Sequence, residues 1–158
     1  MDAGRSEPTA RTTAERKSDR ELVVTRTFDA PVHLVYEAWS NPELFQQWWV
    51  PESMDMKLHS CEMDVRTGGT YRLSFGDGMD FFGRYIEVTP QERIVWTNDE
   101  EGENASVTTV TFEEKDGRTL LVMSELYPSK EALDAEGGAA EAMQETFGQL
   151  DQLLVRLH

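Results

Sequence analysis

Cysteine is nearly absent: Cys61 is the only one in 158 residues. No internal disulfide can form, and there is no CxxC or Cys/His cluster to hold a structural metal. A reducing compartment fits, so a cytoplasmic location is expected. Basic residues are scarce, with 15 Lys and Arg against 30 Asp and Glu and a formal net charge of −15. So acidic a surface repels phosphate backbones and anionic membranes, so neither nucleic acid nor membrane is expected as a partner. Solubility is its plainest consequence. No apolar run approaches the ~20 residues that span a bilayer. Met1 to Arg20 lacks the apolar stretch of a secretory signal. His33, His59 and His158 are far apart and form no HxxxH or HExxH, so no metal is expected. Walker A, GxGxxG and GxSxG motifs are missing too, and the glycine-rich turns have hairpin flanks. No cofactor is expected.

Large flexible and aromatic side chains are plentiful: four Trp, seven Phe and seven Met. They suit an adaptable apolar interior. Residues 1–20 are polar and mixed in charge, and read as a disordered tail. Residues 21–158 read as one domain.

Within the domain, Glu21–Phe28 is β-branched and predicts a strand. Asp29 and Pro31 look like a helix start, with Leu34, Val35, Ala38 and Trp39 at helical spacing. Asn41-Pro42-Glu43 repeats the start signal before Leu44, Phe45, Trp48 and Trp49. From Lys57 to Tyr127 the period becomes two, and six strands at hairpin spacing predict an antiparallel meander. Phe81 to Val88 is ambiguous, because Phe81/Tyr85 and Phe82/Ile86 are both apolar. Ser129 caps a short helical segment. From Ala139 to Leu157, Ala142/Met143, Phe147, Leu150, Leu153/Leu154 and Leu157 recur every three to four residues, an amphipathic helix that must lie on the sheet.

This order resembles the helix-grip fold of START-like (SRPBCC) proteins, an α+β fold. In it a curved antiparallel sheet wraps a long C-terminal helix, and two short helices follow the first strand. The motifs are similar to the branch of the activator of heat-shock-protein-90 ATPase. They run from Thr25-Arg26-Thr27-Phe28-Asp29-Ala30-Pro31 through Ala38-Trp39-Ser40-Asn41-Pro42-Glu43 and Trp48-Trp49-Val50-Pro51. Asp64-Val65-Arg66-Thr67-Gly68-Gly69, Gly83–Val88 with Pro90 and Glu92–Val95, and Val107–Phe112 follow. Val50 stands where the family usually has Gly, and Met143 where it often has Trp, so ligand preference does not transfer.

The resemblance implies an apolar cavity between the sheet and the last helix. Alternation places Met63, Tyr71, Leu73, Phe75, Trp96, Val110, Phe112, Val122 and Ser124 inward. The helices add Trp49, Met54, Met143, Phe147 and Leu150. The plain alternative is that these residues fill a dry core. Tyr71, Trp96 and Ser124 bring polar handles. Trp48-Trp49 reads either as a gate or as packing at the sheet rim. Asp64 with Arg66, and Glu87 with Arg93, read as rim ion pairs rather than acid/base machinery; Glu125 reads as solvated.

The leading expectation is therefore a module that binds a hydrophobic small molecule, as carrier, sequestering agent or in a stress-related role, with no catalytic residues. One alternative is a cyclase- or hydrolase-type enzyme, as in polyketide-cyclase-like relatives, which would need an ionisable group pointing inward. The other is a chaperone cofactor, which the resemblance supports by fold only; no second, amino-terminal domain is visible for a bipartite grip. Homodimerisation is left open.

Overall fold

A computed structural model describes residues 12–50, 52–54, 58–76, 80–99, 105–135 and 139–157. The strands are β1 (Thr13–Arg16), β2 (Glu21–Phe28), β3 (Ser60–Met63), β4 (Thr70–Ser74), β5 (Asp80–Thr89), β6 (Arg93–Thr97), β7 (Val107–Lys115) and β8 (Arg118–Leu126). The helices are α1 (Val32–Ser40), α2 (Pro42–Phe45), α3 (Lys130–Asp134) and α4 (Ala139–Leu157), with a 3-10 turn at Glu52–Met54. One curved eight-stranded antiparallel sheet runs in the order β1-β2-β8-β7-β6-β5-β4-β3. β3 to β8 are the expected meander, and β2 returns beside β8. α4 packs on β2 and on α1, on the concave side of the sheet. The architecture is the helix-grip arrangement.

Part of the expected tail is a strand. Thr13 pairs with Thr25 and Arg16 with Leu22. All four β1 side chains are exposed, so no hydrophobic alternation marks it. Backbone pairing and ties to the domain hold it: Arg26 Nη1 donates to Thr12 Oγ1 at 2.9 Å, and Arg16 meets Asp134 at 2.6 Å. Residues 1–11 lie outside the described residues.

Asp29 does not cap α1. It faces Arg118 at 3.7 Å, and the Glu114 carboxylate accepts from Val32 N at 2.8 Å instead. Asn41 and Ser129 do cap, accepting from Glu43 N and Ala132 N. α2 ends at Phe45, and a turn carries Trp48 and Trp49 onward.

The register settles which faces point inward. Val110 pairs with Met123, and Phe112 with Leu121. Leu121 and Met123 are therefore the core residues of β8, and the structure corrects the inward placement of Val122 and Ser124. Apolar side chains at both phases, Leu120 to Met123, hid the phase. Phe81, Gly83 and Tyr85 face inward with Leu73 and Tyr71. Gly83 is required at its position: a Cβ there would lie 1.8 Å from Thr97 O and 2.9 Å from Tyr71 Cε2. The Tyr71 ring crosses this gap, and its hydroxyl donates to Thr97 O at 2.8 Å. Gly69 has a similar reason, since a Cβ would lie 2.0 Å from Asp64 O. The Asp64–Gly69 motif is thus a corner, locked to β5 by Tyr85 N to Gly69 O and Gly68 N to Tyr85 O.

Arg26 is the unexpected inward residue. It alternates with Val24 and Phe28 on the concave face of β2 and is 6% exposed. Its Nη2 donates to Asp151 of α4, and its guanidinium lies 5.4 Å from the Phe28 ring centre. Burial raises the Asp151 pKa, and the Arg26 charge opposes that only in part. The pair pins the helix to the sheet. Removing one partner strands a buried charge, whereas removing both does not. Arg26→Met should cost about 3 kcal/mol of unfolding free energy, and Arg26→Met with Asp151→Leu should recover most of it. Urea denaturation measures both, and a double variant no better than the single would contradict the assignment.

Candidate functional site

The concave face has two unlike halves. Over β2, β8 and β7 it is packed solid. Trp39 sits at the centre, with ring centres of Trp48, Trp49, Trp96, Phe112, Phe45 and Phe147 between 4.9 and 6.4 Å away. Phe147 also meets Phe28 edge-on at 5.5 Å. Of the expected pocket residues, Val110, Phe112, Phe147 and Leu150 belong to this dry core.

Over β3 to β6 the same face is covered incompletely. Tyr71 and Leu73 are buried, but Met63, Phe75, Trp96, Met143 and Trp49 are only half-buried. Phe81 is 40% exposed while meeting Phe75 edge-on at 5.7 Å. Cys61, opposite Leu73, is half-buried, with its Sγ 3.5 Å from Met63 Sδ. These inward, half-covered apolar side chains beside the aromatic core form the candidate cleft. Val122 and Ser124 lie on the opposite face, where Ser124 donates to the Glu21 carboxylate. The Met54 side chain lies outside the described residues. Trp48 is buried, its Nε1 donating to Ala38 O at 2.9 Å, and so is no gate. Trp49 stacks on Phe45 at 4.9 Å beside the opening.

Sequence reasoning missed the polar groups of this cleft. Tyr85 lies opposite Trp96 across the strand pair, and Trp96 opposite Thr108. Burial raises the Tyr85 pKa, with Cys61, Tyr36 and Asp64 near enough to add to the shift. Tyr36 of α1 meets Phe112 edge-on at 5.6 Å, and burial raises its pKa as well. At one end of the cleft, Tyr71 Oη is 3.1 Å from Asn98 Oδ1, and Asn98 Nδ2 donates to Ser106 Oγ at 2.8 Å. Ser106 Oγ in turn donates to Glu125 Oε2 at 3.1 Å. Glu125 is half-buried rather than solvated, and pairs with the inward Thr108. Only the strand register reveals this chain, because its members are scattered over 55 positions of sequence from Tyr71 to Glu125. Tyr71 thus spends its hydroxyl on the sheet.

The ion pairs behave as expected. Arg66 meets Asp64 at 2.8 Å and Arg93 meets Glu87 at 3.5 Å, all substantially exposed. Such pairs contribute little. A groove of about 530 Å³ over β3 to β5 is lined by Glu62, Asp64, Arg72, Arg84 and Asp99 together with Met63, Tyr71, Phe82 and Gly83. Two of these are already neutralised, Arg72 by Asp80 at 2.8 Å and Arg84 by Asp99 at 2.9 Å. Among the described residues no cluster of His, Cys, Asp and Glu could hold a metal ion, and no helix is long and apolar enough to cross a membrane.

The profile described as "Activator of Hsp90 ATPase homolog 1-like protein" matches residues 29–155. The chain belongs to this family. Other solved proteins share the fold of this activator-homologue domain. One from Rhodobacter sphaeroides is 23% identical with a TM-score of 0.79, covering 94% of this chain and 100% of its own. One from Nitrosomonas europaea is 22% identical with a TM-score of 0.79, covering 90% and 98%. One from Mycobacterium smegmatis is 26% identical with a TM-score of 0.75, covering 94% and 100%. No curated protein matches the chain. The family's D-x-R-x-G-G and G-x-Y motifs fall at the sheet corner and at the Gly83 crossing.

Burial pushes the Cys61 pKa up to about 11. The thiolate is the reactive form. At pH 8, alkylation by iodoacetamide should therefore run about a hundredfold slower than for a free thiol near the usual pKa, rising toward a midpoint near pH 11. Alkylation at the rate of a free peptide thiol would contradict the placement.

Proposed function

We propose that this domain binds a hydrophobic small molecule in the cleft between α4 and β3 to β6. One observation carries the reading. Inward-facing apolar side chains lie half-exposed beside a core in which aromatic rings of the same face are fully buried. Soluble domains seldom leave large apolar side chains together in the open without a use, and ligand sites are mostly apolar concavities with a few placed polar groups. Met63, Met143, Trp96 and Phe81 supply the contact area, and thioethers adapt to varied shapes.

A second reading has its own support. The Tyr71–Asn98–Ser106–Glu125 chain brings a carboxylate to the cleft end. A cyclase- or hydrolase-type enzyme would use such a group as a base. Against it, Ser106 has no histidine partner among the described residues, and its proton is directed at Glu125, which suits orientation better than nucleophilic attack. The carrier reading is therefore preferred. A stress-related role would follow from the chemistry of the occupant.

Nile red, a neutral apolar fluorophore, is expected to bind with a blue-shifted emission. Met63→Lys and Phe81→Lys place charge in the cleft and should weaken binding at least about tenfold. Val155→Lys, at a site 78% exposed on the far end of α4, should leave it unchanged. No binding by the unaltered protein, or equal loss in all three variants, would overturn the proposal.

A further inference from the structure

The chemistry of the cleft restricts what it can hold. Among the described residues the inward face of β3 to β6 carries no Lys, Arg or His. The cation on the concave side, Arg26, lies on β2 and is already committed to Asp151 and Thr12. The acids near this face are Asp64, within electrostatic reach of Tyr85, and Glu125 in the same cross-strand rows, both negative when charged. A carboxylate or phosphate entering here would lose water and gain no counter-ion from the described residues, at a large cost. The net charge of −15 opposes its approach as well.

The cleft does offer donors. Among the described residues neither Tyr85 Oη nor Tyr36 Oη has a hydrogen-bond partner, although Tyr85 is only 5% exposed and Tyr36 half-buried. Tyr36 and Cys61 each lie within electrostatic reach of Tyr85. Burial keeps all three protonated at neutral pH. A phenol hydroxyl in such a place satisfies itself by donating to an acceptor on the occupant. Trp96, directly opposite Tyr85, presents an indole for a flat ring to lie against.

We infer that the cleft selects an uncharged aromatic molecule that carries a carbonyl or similar oxygen acceptor, held by the hydroxyls of Tyr85 and Tyr36 and packed against Trp96. This rests on the cleft being a ligand site, and it adds the class of ligand. Fatty acids and other anionic amphiphiles are disfavoured, since no described residue of this face supplies a counter-ion.

Four naphthalenes of nearly equal shape test it by calorimetry or tryptophan fluorescence: 2-acetylnaphthalene, 2-ethylnaphthalene, 2-naphthoate and trimethyl(2-naphthyl)ammonium. The ketone is expected to bind tightest, roughly fivefold better than the ethyl compound for one net hydrogen bond, and at least about tenfold better than the carboxylate. Tyr85→Phe with Tyr36→Phe should erase the ketone's advantage over the ethyl compound and leave the ethyl compound's own affinity in place. That second readout separates a lost hydrogen bond from a damaged fold. If the ethyl compound binds as well as the ketone, or if either ion binds tighter than the ketone, the inference is overturned and the apolar site stands. If none of the four binds, the site itself is overturned.

Discussion

The indole of Trp39 is the contact on which the concave side depends. It touches rings from α2, the following turn, β6, β7 and α4. Each such aromatic pair contributes about 1 kcal/mol beyond the area it buries. Joining helix to sheet there consumes Phe112, Phe147 and Trp48, and the Arg26–Asp151 pair fixes α4 over the same half. The helix is thereby held close to β2 and α1. It cannot also press onto β3 to β6, where the curved sheet turns away. The opening over the second half follows from how the first half is closed.

That division separates two jobs. Stability lies in the aromatic half, where rings interlock and little can move. Adaptability lies in the other, with two methionines, a thiol and half-covered rings. The polar groups divide in the same way. Tyr71 and Asn98 brace the sheet across Gly83, while the Tyr85 and Tyr36 hydroxyls make no hydrogen bond among the described residues. The acidic exterior, with a formal net charge of −15, repels anions.

The fold was legible because its signals are local and repeated: hairpin turns, period-two strands, and an amphipathic helix needing a sheet. The motif order named the architecture even though the solved proteins of this fold compared above are only 22–26% identical. The site was legible only in part. The inward placement of Met63, Phe75 and Trp96 follows from alternation and that of Met143 from helical spacing, but Val122 and Ser124 do not face inward, because β8 is apolar at both phases and only pairing with β7 decides. Nothing local marks Arg26 as an inward residue, since its partner Asp151 lies 125 residues away. β1 has no buried side chain to announce it. Which aromatics fill the core and which border the cleft depends on where α4 comes to rest, and no local pattern encodes that.

The two-half description is tested most directly by methyl-methionine NMR of the protein titrated with 2-acetylnaphthalene. Met63 and Met143 border the cleft, while Met123 is sealed in the packed half. The account predicts that the Met63 and Met143 methyl signals shift with a common saturation curve while Met123 stays still. Shifts of Met123 as large as theirs, or of none of the three, would contradict it.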